Sequence, residues 1–286
     1  MEPIRRLDER FVADLNDILV WAAKNGIGRH TRFHVYRDNI EWLRARDAEK
    51  DRAQVHAQLS DEGRLTEVLS AFTESIELVE TISTLRQSGI VIPQELLRRA
   101  FSGPADAYQE DHTSNQARNA MFELSIGASA ARQSLMPKLS IGNPDVSFKF
   151  DGRNVKMECK RVISENKVER RLHEGIQQLE KSVQLGAGDV GLVAISLSKL
   201  VNPGDKFLIA DNPHQALSDH VTNMLRINEQ KLSAMHRPAV AGFIFYLSSA
   251  TYVPNKGYSP IASATIFPVN LAEQPLLRRL ADILKV

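Results

Sequence analysis

The sequence is short of several things that would otherwise decide its class. It holds one cysteine, Cys159, so no disulfide can form within the chain and a cysteine-based zinc site is not expected. It has no run of 18 apolar residues and no N-terminal signal pattern, which predicts a cytoplasmic protein with no membrane partner. Net charge is nearly absent, with 36 Lys and Arg against 35 Asp and Glu. That balance excludes a basic coat but leaves room for a local basic groove. G-x-x-x-x-G-K-[ST] does not occur, so nucleotide hydrolysis is not expected. Internal repeats and low-complexity tracts are missing too. What remains is 286 residues, 43% apolar and 25% charged, the composition of a globular chain able to bury a core.

Residues 1–105 read as helices. Phe11, Val12, Leu15, Ile18, Leu19 and Ala22 recur at helical spacing, with Gly26 as a stop. A longer pattern runs from Leu65 to Leu85 and ends at Gly89; Pro93 opens a short helix closed by Gly103-Pro104. The polar stretch "ADAYQEDHTS" predicts a domain boundary near residue 105, with a second domain over 106–286. There Thr113 or Ser114 caps a helix through about Ala131. A hairpin at 145–162 follows, then a helix stopping at Gly186 and the apolar strand "DVGLVAISL". Asn212-Pro213 caps another helix, and "AVAGFIFYLSS" and "IASATIFPV" are strands before a short last helix. The expectation is a mixed sheet with helices against it, in the order α-β-β-β-α-β.

The hairpin carries the chemistry. In "NPDVSFKFDGRNVKMECKRV", Val146, Phe148 and Phe150 share one face of the first strand, and Asp145, Ser147 and Lys149 the other. On the second strand Val155, Met157 and Cys159 face the core, leaving Lys156, Glu158 and Lys160 opposite. Both apolar sets must meet one core, so the connecting loop has an even length. A two-residue Asp151-Gly152 turn sets Asp145 across from Glu158; a four-residue loop sets it across from Lys160. Two facing carboxylates repel. A divalent cation between them removes the conflict, and oxygen ligands suit Mg²⁺ or Mn²⁺. Lys160 can hold the attacking water and offset charge in the transition state.

At Pro144-Asp145 and Glu158-Cys159-Lys160 the sequence resembles the PD-(D/E)XK nuclease superfamily, over about residues 113–197. The resemblance implies an α/β (α+β) fold, a restriction-endonuclease-like αβββαβ core preceded by an N-terminal helical domain. It implies that Asp145 and Glu158 bind metal, that the Cys159 carbonyl is a further ligand, and that Lys160 assists hydrolysis. Glu123, in "NAMFELS", answers to the acid that many members carry on the preceding helix. Gln177 and Gln178 answer to the glutamine on the helix that follows. The activity implied is a Mg²⁺- or Mn²⁺-dependent endonuclease on DNA, RNA being the other substrate, of the kind that serves DNA repair or phage defence. The rival is a noncatalytic nucleic-acid-binding or assembly subunit with the same fold.

Basic residues surround the motif. Lys156 and Arg161 on the second strand, with Lys167, Arg170 and Arg171 opening the next helix, suit a nucleic-acid backbone without reading bases. The N-terminal helices are left for a protein partner, a second copy of the chain, or DNA. Two other patterns are weaker. His30 and His34 stand at i, i+4 in "HTRFH" without a partnering acid, and His214 lies among acids with no recognisable spacing.

Overall fold

The computed structural model of the protein describes residues 9–47, 52–110, 115–184, 188–202, 208–209, 212–253 and 257–284. The expected helix start at Thr113 or Ser114 and stop at Gly186 lie outside the described residues. Five helices come first: α1 (Glu9–Lys24), α2 (Arg32–Asp47), α3 (Arg52–Asp61), α4 (Leu65–Gln87) and α5 (Gln94–Phe101). Gly26 and Gly89, at φ 79° and 68°, follow α1 and α4, because a left-handed residue just past a helix costs glycine nothing. Then come α6 (Gln116–Arg132), β1 (Lys138–Leu139), β2 (Val146–Phe150), β3 (Arg153–Arg161), α7 (Val168–Ser182) and β4 (Asp189–Ser196). The chain continues through α8 (Ser198–Val201), β5 (Leu208–Ile209), α9 (Pro213–Ala234), β6 (Gly242–Val253), β7 (Gly257–Pro268) and α10 (Gln274–Ile283). Asn212 caps α9, its side chain accepting from the Gln215 N–H at 3.2 Å.

Among the described residues the strands form one mixed seven-stranded sheet in the order β1-β2-β3-β4-β6-β7, with β5 beside the far end of β6. β1, β2 and β3 are an antiparallel meander; β4 runs parallel to β3, and β6 parallel to β4. The first of these strands is not announced by any alternation, since two residues are too few to show one.

β4 explains the layering. All eight of its residues are buried, as befits a parallel strand covered on both faces. Leu192 and Ala194 join the core under α1, α4, α5 and α6, whereas Val193 and Ile195 join the one under α7 and α9. α7 lies close: a Cβ on Gly175 would come within 2.7 Å of Val193. The change from helices to mixed elements near residue 105 is present, but the larger hydrophobic cluster crosses it without a break, from Phe11 to Leu284. Among the described residues no helix is long and apolar enough to cross a membrane.

The hairpin closes on two residues, pairing Phe150 with Arg153. Asp151 and Gly152 have φ of 49° and 73°, the paired left-handed conformations of a type I′ turn. A Cβ on Gly152 meets nothing within 4 Å, so only the backbone resists substitution there. Gly152→Val should therefore lower unfolding free energy by about 1–2 kcal/mol in a urea melt. An unchanged midpoint would mean that the turn does not set the register.

Candidate active site

The β2–β3 ladder stops at Val146 paired with Met157. Beyond it β3 runs on for four residues, bound only to β4 through pairs such as Glu158 with Val193 and Lys160 with Ile195. One edge of β3 is thus released where β2 turns away, and the motif residues gather at that notch. The Cys159 N–H, which would have donated to β2, instead donates to Asp145 Oδ2 at 2.7 Å. The Asp145 side chain in effect continues the ladder. Its own carbonyl accepts from the Ser140 N–H at 3.0 Å, which fixes the residue from the other side.

Lys160 joins the group. Its Nζ lies 3.1 Å from Glu158 Oε2, 3.7 Å from Asp145 Oδ2 and 3.3 Å from the Cys159 carbonyl oxygen. The Glu158 side chain is fully buried; those of Lys160 and Asp145 are 13% and 15% exposed. Little water therefore screens these charges. Burial first, and the neighbouring Asp145 second, push the Glu158 carboxyl up to about 7, against the pull of Lys160. Glu123 reaches about 8, again from burial and then Asp145, with Arg99 and Lys160 opposing. Burial alone would lower Lys160, but Asp145 and Glu158 outweigh it and hold the ammonium above its ordinary value.

Two oxygens stand out. Glu158 Oε1 and Glu123 Oε2 are buried and have no donor partner. Buried polar atoms are nearly always satisfied, so a pair of orphaned carboxylate oxygens beside two further oxygen groups fits a site that takes a cation. Among the described residues, however, no group of three or more His, Cys, Asp and Glu side chains could hold a metal ion. Three acids closing on one ion is thus not the arrangement found. Glu123, on α6, stands within electrostatic reach of Asp145 and Glu158 and does not complete a cage with them. Mg²⁺ needs no such cage, since it takes one or two carboxylates and keeps several waters.

Several expected site residues sit elsewhere. Gln177 is exposed on α7, while Gln178 is turned inward with its Oε1 buried and unpartnered. Lys156 is occupied by Asp189 at 2.7 Å and by the Ser182 carbonyl at 2.5 Å, because the end of α7 covers that stretch of β3. Arg161 is also drawn inside: it has the alternation of Val155, Met157 and Cys159, so it points to the inner face and pairs with buried Glu110. Lys167 is half-buried in a 3₁₀ turn before α7. Arg170 and Arg171 both reach Glu174, at 3.6 and 2.7 Å. Only these last two sit at the outer start of α7. His30 precedes α2 instead of lying on it, and the His34 Nδ1 lies 3.0 Å from the Thr31 hydroxyl. His214 is exposed at the start of α9.

Two features were not read from the sequence. Arg99, on α5, acts on Glu123 and has a buried Nε without a partner. Arg118, Glu74 and Arg32 form a buried network, Glu74 accepting from Arg118 at 2.7 Å and from Arg32 at 3.0 Å. A charged residue directly beside the apolar stripe of α6 was the available signal for Arg118. No protein-family model matches the chain, and no curated protein matches it.

Proposed function

We propose that the protein is a divalent-metal-dependent nuclease of the PD-(D/E)XK kind, an endonuclease on DNA with RNA as the other candidate substrate. The observation that carries this reading is the meeting of Asp145, Glu158 and Lys160 at the notch where β2 leaves β3, with a carboxylate oxygen of Glu158 left without a donor. The run α6-β1-β2-β3-α7-β4, an antiparallel meander followed by a parallel strand, supports it as the order that this resemblance implies.

Asp145 and Glu158 would hold Mg²⁺ or Mn²⁺, with the Cys159 carbonyl on the same side. The bound ion supplies Lewis-acid polarisation of the phosphate and an acidified water. The chain's own groups do the rest. Lys160 holds a water by hydrogen bond beside the two acids and places positive charge where the phosphate becomes more negative. The Cys159 N–H fixes Asp145 so that its other oxygen is available for binding. Burial of Glu158 keeps bulk water from the reacting atoms. Arg170 and Arg171 stand at the start of α7, where a backbone phosphate also meets free helix N–H groups. Incubating DNA with Mg²⁺ or Mn²⁺ tests the reading: cleavage appears, and a chelator stops it. A matched RNA run in parallel separates the two substrates.

One observation favours the rival of a noncatalytic binding subunit. Lys160 already bridges both acids, which is what a purely structural ion pair would do. That reading predicts nucleic-acid binding without cleavage and no metal at the notch.

A further inference from the structure

Beneath the other face of the sheet lies a second space, a cavity of about 100 Å³. It opens where the parallel strands β3 and β4 end, the end at which open α/β sheets form ligand crevices. Arg161 and Ser196 line it from those strands, Arg118 from α6, and Ser198 and Lys199 from α8. We propose that this cavity binds a phosphate-class oxyanion, separately from the acidic notch.

The charges are the first reason. Arg118 is only 5% exposed, and its Nη1 has no partner, although its other nitrogens reach Glu74, Tyr36 and the carbonyls of Pro104 and Ala105. Four cations, Arg32, Arg118, Arg161 and Lys199, lie among four carboxyl groups, Glu74, Glu77, Glu110 and Asp106. Burial raises the pKa of Glu77, which also lines the space and whose Oε1 accepts from the Ser125 hydroxyl at 2.8 Å. Burial first lowers the pKa of Lys199, with Arg161 and Arg118 adding to it against the pull of Glu110, while its Nζ donates to the Ala107 carbonyl. An oxyanion among these three cations relieves their repulsion through charge-assisted hydrogen bonds.

Hydroxyls and size supply the rest. Ser196, Ser198 and Ser248 form a chain across the wall, with oxygens 3.3 and 3.0 Å apart, and any of them can turn a proton toward an anion. The space is well below the roughly 300–1,000 Å³ of sites that enclose a whole small molecule. It admits one phosphate group, whether free or at the end of a nucleic-acid strand.

Calorimetric titration of the full chain, at fixed ionic strength with chelator present, tests this. The chelator leaves the acidic notch without a metal, so the result does not depend on the nuclease reading. The probes are inorganic phosphate, a 5′-phosphorylated thymidine dinucleotide and the same dinucleotide without the phosphate. Phosphate or the phosphorylated dinucleotide should bind at one site, and the unphosphorylated dinucleotide should not. The tighter of the two identifies the source. Lys199→Gln, a change on a half-buried residue of a short helix, should weaken binding at least tenfold, and Ser198→Ala should weaken it as well. Absence of binding by either phosphate probe at millimolar concentration, or unchanged binding in both variants, would overturn the proposal.

Discussion

Lys160→Ala should cut metal-dependent cleavage sharply, and Asp145→Ala should abolish it. Losing one preorganised charge aimed at a transition state costs about 10²–10³-fold in turnover. Asp145 also carries half of the cation-binding pair, so its loss should bring cleavage to background. The two variants should differ in stability. Removing Lys160 leaves Asp145 and Glu158 facing each other without a cation, and breaking a buried pair typically costs about 3–5 kcal/mol. Here the cost is capped, because Glu158, pushed up to about 7, is already partly protonated near neutrality and can discharge itself further. Asp145→Ala removes the repulsion along with one partner and should destabilise less. Cleavage assays alongside far-UV circular dichroism separate lost chemistry from lost fold. Wild-type turnover in either folded variant would mean that the notch is not the active site.

The second large effect is on stability against pH. Glu158 and Glu123 titrate near 4.3 in the unfolded chain and near 7 and 8 in the folded one. Between about pH 4.5 and 8 the folded state therefore binds more protons than the unfolded state, and unfolding free energy falls as pH rises. Lys160 does not reverse this. Its raised pKa contributes stability that is lost only above the ordinary lysine range, outside the window. The metal-free protein should melt at a higher temperature at pH 5.5 than at pH 8.5. Glu123→Gln should flatten that slope and raise the melting temperature at pH 8.5, by about 2–4 °C for each kcal/mol of relieved strain. Mn²⁺ should stabilise strongly at pH 8.5 and weakly at pH 5.5, since it must displace protons to bind. At a hundred times its dissociation constant the ion would add about 2.7 kcal/mol. Glu158→Gln should remove that gain. A scan of melting temperature against pH, with and without Mn²⁺, checks all of these.

The hairpin was legible because two constraints fixed it. Val146, Phe148 and Phe150 on one strand and Val155, Met157 and Cys159 on the other had to face a single core, and Asp151-Gly152 offers the turn that satisfies this parity. Alternation fixes a face, however, and says nothing about what lies over it. Lys156 shares a face with Glu158 and Lys160, yet the end of α7 and Asp189 close over it alone. Arg161 could have been placed correctly, since its parity with Cys159 points it inward. The choice between Gln177 and Gln178 was beyond the helical stripe, because Leu172, Ile176 and Leu179 leave both on its flanks. β1 was too short to show a pattern, and the Arg32–Glu74–Arg118 network spans elements some 40 residues apart in sequence, which no local window contains.

Whether the notch holds a divalent ion decides the nuclease reading, and a crystal of the protein soaked in Mn²⁺ measures that directly. Anomalous density within coordinating distance of Asp145 and Glu158, lost in Glu158→Gln, is the expected result. Full-occupancy Mn²⁺ at other sites with none at the notch, and Lys160 still bridging both acids, would contradict it.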